Sequence, residues 1–468
     1  MRTLVSRPQH ISFRSNKDFV THRHNSNDPC TKMEKKCTST KPDVQRIAGS
    51  TLARGTFGEI SLALFKMTKK RKIIAIKSIS NATSTACSSM HRYGMMMPSA
   101  PANACNEKPK LKREVFCELN ALRMLTGHDN ITPLLFVNCR NDSMNTLCLC
   151  FPYCPCDLAE ALQYHHKTRM RNMRYGVAKA VILDVLRGLE HCHSRCILHG
   201  DVKPGNVLLS SEGRAQLCDF GLARVFAESS ASNDTMNGLC TLNYRAPELL
   251  YGAQILEDGA SDVYGAGLIL AELFSFSRGP LFAGMNTFDQ MGKIFEVLGT
   301  PSDETWPSAA DLPDYHKVSF PATDPIPLTN ILPRLAEHCS IQLHKLLQSM
   351  ILLDPKRRPT AESCVRHAWF VDRKPVPALP DDVMEELVPM HLEEPLLFFC
   401  DEDAKIWAKT VAEDRRTAGT SQKLDPDKFK DEGDQGLLSW IWEKGRFFDE
   451  HLTADDDDDD EWIYPGKG

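Results

Sequence analysis

This chain of 468 residues is short of three things. It has no apolar run approaching the roughly 20 residues that a membrane-spanning helix requires, which excludes a bilayer partner of that kind. It has no surplus of positive charge: 56 Lys and Arg stand against 61 Asp and Glu, a formal net charge of −5, so there is no bulk electrostatic case for nucleic acid. Its 17 cysteines follow no repeating spacing. The densest His/Cys group, His191-Cys192-His193 with Cys196, closes a helical segment. A structural zinc site asks for four convergent ligands, so no metal is read there. The N-terminus carries Arg2, Arg7 and Arg14 before its first acid, Asp18, yet lacks the amphipathic period of a transit peptide.

What is present is a chain of ordinary balance, 42% hydrophobic and 25% charged, long enough for a two-lobed core of about 250 to 300 residues with extensions. Residues 1–43 are polar and rich in His, Asn and Ser, and read as a disordered arm. Two β-like segments, Arg46–Leu52 and Glu59–Phe65, flank a glycine turn, and a third, Lys72–Ile79, follows. Residues 80–109, rich in Ser, Ala, Asn, Met and Pro, read as an insertion without a core of its own. Helices are expected at Lys110–Leu125, with Val115, Leu119, Leu122 and Leu125 on one side, and at Ala178–Cys192. From 373 to 468 the chain is an acidic, irregular extension. Short helices are expected there at Ala404–Arg415 and Gly436–Phe448, and the six aspartates Asp455–Asp460 read as a solvated run.

Four motifs stand in order. His199-Gly200-Asp201-Val202-Lys203-Pro204-Gly205-Asn206 is followed, thirteen residues after Asn206, by Asp219-Phe220-Gly221; Ala75-Ile76-Lys77 lies upstream and Ala246-Pro247-Glu248 downstream. The set resembles the catalytic core of protein kinases, in which positioning and charge neutralisation do most of the chemistry of phosphoryl transfer. That resemblance makes Asp201 the base for a substrate hydroxyl and Lys203 a contact for the γ-phosphate of ATP. Asn206 and Asp219 become oxygen ligands for Mg2+, as that hard cation prefers. The turn Ala53-Arg54-Gly55-Thr56-Phe57-Gly58 would bring bare amides to the ATP phosphates, although Ala53 replaces its first glycine. Lys77, on an apolar strand, needs an acidic partner. Glu118 is the expected one, ten residues before His128, with Glu114 one turn earlier as its rival.

The stretch 44–372 further resembles the cyclin-dependent kinases. The residues that carry this are Thr241-Leu242-Asn243-Tyr244-Arg245-Ala246-Pro247-Glu248, Ser261-Asp262-Val263-Tyr264-Gly265, Leu281-Phe282-Ala283-Gly284, Leu298-Gly299-Thr300-Pro301 and Leu353-Asp354-Pro355-Lys356-Arg357-Arg358. The resemblance implies an α+β, bilobal kinase fold: a small antiparallel-sheet lobe with one main helix and a larger, mostly helical lobe. It makes Phe151 the gatekeeper, Pro152 to Cys154 the hinge with Cys154 as amide donor, and Asp157 the ribose contact. Leu52, Ile60, Ala75 and Leu208 would sandwich the adenine. Arg245 would favour proline after the phosphorylated residue, and Arg358 would pair with Glu248. Reduced cysteines and a nuclear or cytoplasmic location are expected with it, as are protein substrates in cell-cycle or transcription control.

The departures bear on regulation. In the family three arginines grip the phosphothreonine of the activation loop; here two of those positions hold Gly200 and Cys117, and Arg224 remains, with Thr235 the nearest threonine to the usual site. Phe57 replaces the inhibitory tyrosine of the glycine turn, and Asn243 replaces a tryptophan. The sequence before the main helix that would contact a cyclin is not recognisable, so a cyclin partner is in doubt. An upstream kinase that activates other cyclin-dependent kinases would suit these departures. The alternative is a nucleotide-binding scaffold without activity, which Ala53 and Gly200 favour and the intact Lys77, Asp201, Asn206 and Asp219 oppose.

Overall fold

Apolar, largely β-branched or Leu/Cys-rich segments in the first part of the chain build a five-stranded antiparallel sheet in the order β1-β2-β3-β5-β4: β1 Asp43–Gly55, β2 Gly58–Lys66, β3 Arg71–Ile79, β4 Phe136–Arg140 and β5 Thr146–Pro152. The structure is a computed structural model that describes residues 43–417, apart from 56–57, 67–70, 80–82, 85–109, 112, 141–145, 169–172, 227–240, 254–257, 276–278, 334, 336–340, 372–375, 390–391 and 393–400. The N-terminal arm, most of the expected insertion, Thr56, Phe57, Thr235, the segment Gly436–Phe448 and the aspartate run lie outside the described residues.

Register decides which side of the sheet does chemistry. Leu149 lies opposite Lys77, Leu147 opposite Ile79 and Phe151 opposite Ala75, so these residues share a face with Ile73. At one end of that face Ile79, Leu147 and Leu149 pack on Val115 and Leu119 of helix α1 (Arg113–Met124). At the other end Leu62, Leu64 and Ile73 form a cluster with Ala404 and Ala408 of the last described helix, Asp401–Thr417. Ala75 and Lys77 lie between the two. Helix α1 begins three residues later than its periodicity suggests, because Lys110–Leu111 pairs as a short strand with Thr83–Ser84.

The larger lobe is helical: α2 Leu158–Thr168, α3 Tyr175–Ser194, α4 Ala260–Leu273, α5 Thr287–Leu298 and α6 Ile341–Met350. Helix α4 is buried along its whole length, which identifies it as the axis of this lobe, since a helix covered on every side has no solvent face to make polar. Arg358, fully buried, donates to both carboxylate oxygens of Glu248 at 2.7 Å and to the carbonyls of Ala260, Leu352 and Leu353, with Tyr264 beneath its guanidinium. Two further helices come from the acidic extension: α7 Pro380–Leu387, which periodicity did not suggest, and α8 Asp401–Thr417.

Candidate active site

Lys77 sits among Ile73, Ile74, Ile76 and Ile79 on β3, so its ammonium needs anionic partners. It donates to Glu118 Oε1 and Oε2 at 2.7 and 2.8 Å and to Asp219 Oδ1 at 2.9 Å. Glu118 reaches it because α1 places it on the buried side with Val115, Leu119 and Leu122, where it is 3% exposed. Of the two acids weighed for this role, Glu118 makes the contact. Burial opposes the charge on Lys77, but Asp219 and Glu118 outweigh it and hold the lysine well above its ordinary value. Burial raises Glu118, against the pull of Lys77. Burial also opposes ionisation of Asp219, yet there Lys77 outweighs it and the carboxyl is lowered.

The loop after the short strand Ile197–Leu198 is fixed from below. Asp262, in the first turn of α4, accepts the backbone amides of His199 and Gly200, each at 2.9 Å, and also binds His193 Nε2 at 2.9 Å. His199 Nε2 meets the carbonyl of Cys218 at 2.9 Å, and its ring lies 4.8 Å from that of Phe220. Gly200 adopts φ +82°, and a Cβ there would stand 2.7 Å from the Leu222 carbonyl oxygen. A side chain at 200 is thus strained whatever its chemistry. Sequence reading noted the arginine missing at this position but not this backbone constraint.

Asp201 is held at both oxygens. Oδ2 accepts Lys203 Nζ at 2.6 Å and Asn206 Nδ2 at 2.9 Å, while Oδ1 accepts the amide of Thr241 at 3.1 Å. Lys203 also reaches the Thr241 hydroxyl at 2.5 Å. Asn206 donates through Nδ2 to the Asp201 carbonyl as well, at 2.8 Å, which commits its nitrogen and orients its oxygen end by default. Asp219 stands in the left-handed region, φ 60° and ψ 71°, a conformation that costs a non-glycine residue about 1 kcal/mol or more and is held here by the Lys77 contact. The three carboxylates, two ammonium groups and one amide form a site able to orient a hydroxyl and to hold a polyanion.

Above this site, Leu52, Ile60, Ala75 and Phe151 line the sheet's underside, all half-buried, and Leu208 lies below on the short strand Val207–Leu209. Pro152 ends β5 and Cys154 is buried. Asp157, opposite Leu208 in register, accepts the amide of Glu160 at 2.9 Å while Glu160 accepts that of Asp157 at 3.2 Å. It therefore also caps α2. Ala53 is exposed and Gly55 ends β1. Gly58 has a second reason to be glycine: at φ +134° its Cβ would fall 2.4 Å from the Ser78 carbonyl oxygen. Arg224 is half-buried on a short strand paired with Leu198, and Arg245 is buried beside Ala246. Asp262 and the hydroxyl of Thr241 are the parts that sequence reading quoted within motifs without giving them these contacts.

A comparison with family models matches residues 47–370 to the protein kinase domain. The chain belongs to the protein kinase family. Among curated kinases it is similar to Cyclin-dependent kinase 20 of Pongo abelii, 36% identical over 247 residues that cover 53% of this chain and 67% of that one. The counterpart from Rattus norvegicus is 37% identical over 235 residues, covering 50% and 64%. A solved structure, that of the CAK complex from Chaetomium thermophilum bound to ATP-gamma-S, superposes with a TM-score of 0.57 at 28% identity, over 76% of this chain and 98% of that one. These relatives make this kinase a divergent member of the cyclin-dependent group, and a Ser/Thr kinase by class. Its bilobal fold, with the five-stranded sheet over the helical lobe, is that of the family.

Proposed function

We propose that the kinase transfers the γ-phosphoryl group of ATP to Ser or Thr hydroxyls of protein substrates. The observation that carries this is the assembled charge array: Lys77 bonded to Glu118 and Asp219, beside Asp201 bonded to Lys203 and Asn206. Adenine would lie between Leu52, Ile60, Ala75 and Leu208, against the backbone of 152–154. The related CAK complex is bound to ATP-gamma-S, which supports ATP as the nucleotide.

Mg2+ fits the residues present. Asp219 is kept ionised by Lys77, and the nitrogen of Asn206 is engaged by Asp201, so both offer oxygen donors of the type Mg2+ takes. When bound, the ion would supply positive charge to the phosphate oxygens. The chain's own groups divide the remaining work. Lys77 binds the α- and β-phosphates, Lys203 the γ-phosphate, and Asp201 orients the attacking hydroxyl and accepts its proton at Oδ2 or Oδ1.

Buried Arg245, with the Leu298–Pro301 stretch, supports a preference for proline after the acceptor residue. A cyclin-like partner, a cell-cycle or transcription role and a nuclear or cytoplasmic location belong to the same reading. The test is a peptide array with labelled ATP and Mg2+, run with the parent and with Asp219→Asn. Incorporation into Ser/Thr-Pro peptides that the variant loses by orders of magnitude is expected. Equal incorporation by both proteins would overturn the reading, and loss of the proline preference alone would remove only that part.

A further inference from the structure

The described parts of the acidic extension touch the large lobe, the hinge and the sheet. Its first anchor is α7 on the large lobe. Glu386, fully buried, accepts the amide of Arg174 at 2.7 Å and also its Nε, and Asp382 Oδ1 takes Nη1 of the same arginine at 3.1 Å. The Ala378 amide bonds to the Gly176 carbonyl at 2.9 Å. Gly213, at φ +69°, lies so close to the chain that a Cβ would come within 2.2 Å of the Pro380 oxygen.

The second anchor is the hinge itself. Tyr153, between Pro152 and Cys154, is 3% exposed and donates its hydroxyl to the Leu392 carbonyl at 2.7 Å. The third is α8. Trp407 meets the Tyr153 ring edge-on at 5.2 Å. Ala404 and Ala408 are fully buried against Ile47, Leu62, Leu64 and Ile73, and Trp407 and Leu52 pack on the same cluster. That cluster occupies the sheet face that carries Ala75 and Lys77.

We propose that Tyr153 and Trp407 are positioning residues for the nucleotide, and that the described parts of the extension, 376–389, Leu392 and 401–412, act as a strap holding the hinge peptide and β1 in place. Pro152 fixes its own φ, and the next residue, Tyr153, anchors the hinge peptide through the Leu392 carbonyl. Ordering present before binding does not have to be created by the nucleotide, which is how preorganisation raises affinity. The strap contacts lie at the hinge and on β1 and β2, so the strap acts on nucleotide binding. The inference rests on the reading that ATP seats against residues 152–154.

The test uses the full chain carrying Trp407→Ala, Tyr153→Phe, the conservative Trp407→Phe, or Ile406→Ala on the exposed side of α8. Measured for each are KM for ATP, KM for peptide, kcat, and ADP affinity by calorimetry. Trp407→Ala should raise KM for ATP and weaken ADP about fivefold or more, with kcat and the peptide KM nearly unchanged. Tyr153→Phe should move the same way by less, Trp407→Phe should restore most of the loss, and Ile406→Ala should do nothing. Should Trp407→Ala fail to fold, Tyr153→Phe carries the test. Unchanged ATP and ADP affinity in Tyr153→Phe and Trp407→Ala, or a fall in kcat at constant KM, overturns the strap. A parent chain with no ATP affinity at all would instead remove the underlying reading, and the strap with it.

Discussion

Asp262 accepts the backbone amide of Gly200 at 2.9 Å, and this bond, with the matching one to His199, ties the catalytic loop to the buried axis of the large lobe. Asp262→Ala would leave two buried amides and His193 without their acceptor. Hydrogen bonds to a charged group contribute about 1.5 to 3 kcal/mol each, so a loss of about 3 kcal/mol in urea unfolding is expected. The loop that carries Asp201 would also shift, and a displacement of about 1 Å costs on the order of a hundredfold in rate. A variant with full kcat would show that the loop is held by something else.

Acidification should stop activity before it unfolds the chain. Burial holds Glu118 above its ordinary 4.5, while Lys77 keeps Asp219 below 3.8, so as pH falls Glu118 takes up its proton first and the contact with Lys77 weakens. The two groups have opposite linkage signs. Asp219, with a lowered folded value, contributes stability that is present above 3.8 and lost only as pH falls through that lower value. Glu118, with a raised folded value, binds its proton more tightly when folded, so its protonation does not cost stability. Rate and circular dichroism measured from pH 7 downward should therefore separate, with an acid limb in kcat/KM above pH 4.5 that Glu118→Gln abolishes. Coincident loss of rate and fold would contradict the assignment.

Glu248→Ala should destabilise the large lobe severely. The change strands Arg358, whose side chain is 0% exposed, and breaking a buried pair from one side costs about 3 to 5 kcal/mol. Chemical denaturation of the purified variant measures it. A shift under about 1 kcal/mol would mean that the backbone carbonyls around Arg358 suffice to hold it.

Replacing Gly200 should cost stability without creating a phosphate grip. At φ +82°, with the Leu222 oxygen 2.7 Å from a would-be Cβ, Gly200→Ala is expected to lose about 1 to 2 kcal/mol. Gly200→Arg should do no better. Thermal melts of both variants check this, and a neutral result would show that Leu222 yields.

Phosphorylation at Thr235 should matter little. With Gly200 and Cys117 in the chain, Arg224 is what remains of the family's three arginines, and one partly exposed pair typically contributes up to about 1 kcal/mol. Moving a loop from 1:99 to 99:1 takes roughly 5.5 kcal/mol. Thr235→Ala is expected to retain activity within about tenfold of the parent. A larger loss would mean that other basic groups have rebuilt the phosphate site.

Much of this kinase is legible without coordinates. Lys77, Asp201, Lys203, Asn206 and Asp219 are recognisable because their motifs and order resemble those of the protein kinases, and the structure brings them together. The first three strands of the sheet follow from β-like apolar segments, and α1 and α3 from apolar residues three and four apart, while Phe136–Arg140 and Thr146–Pro152 are not read as strands. What neighbours across space decide could not be read. The choice of Glu118 over Glu114 follows from which side of α1 faces β3, and the second reason for Gly58 from the approach of the Ser78 backbone. The helix at Pro380–Leu387 looks acidic and irregular as a string. Its Val383 and Leu387 enter the core of the large lobe and its Glu386 binds Arg174, a residue 212 positions earlier. Sequence alone determined the reaction's ingredients and their order. Only the tertiary structure decided that the acidic tail returns to the hinge, because that contact is formed between residues whose attraction does not depend on any local pattern: a tyrosine hydroxyl, a carbonyl and a tryptophan ring brought together by the packing of two lobes.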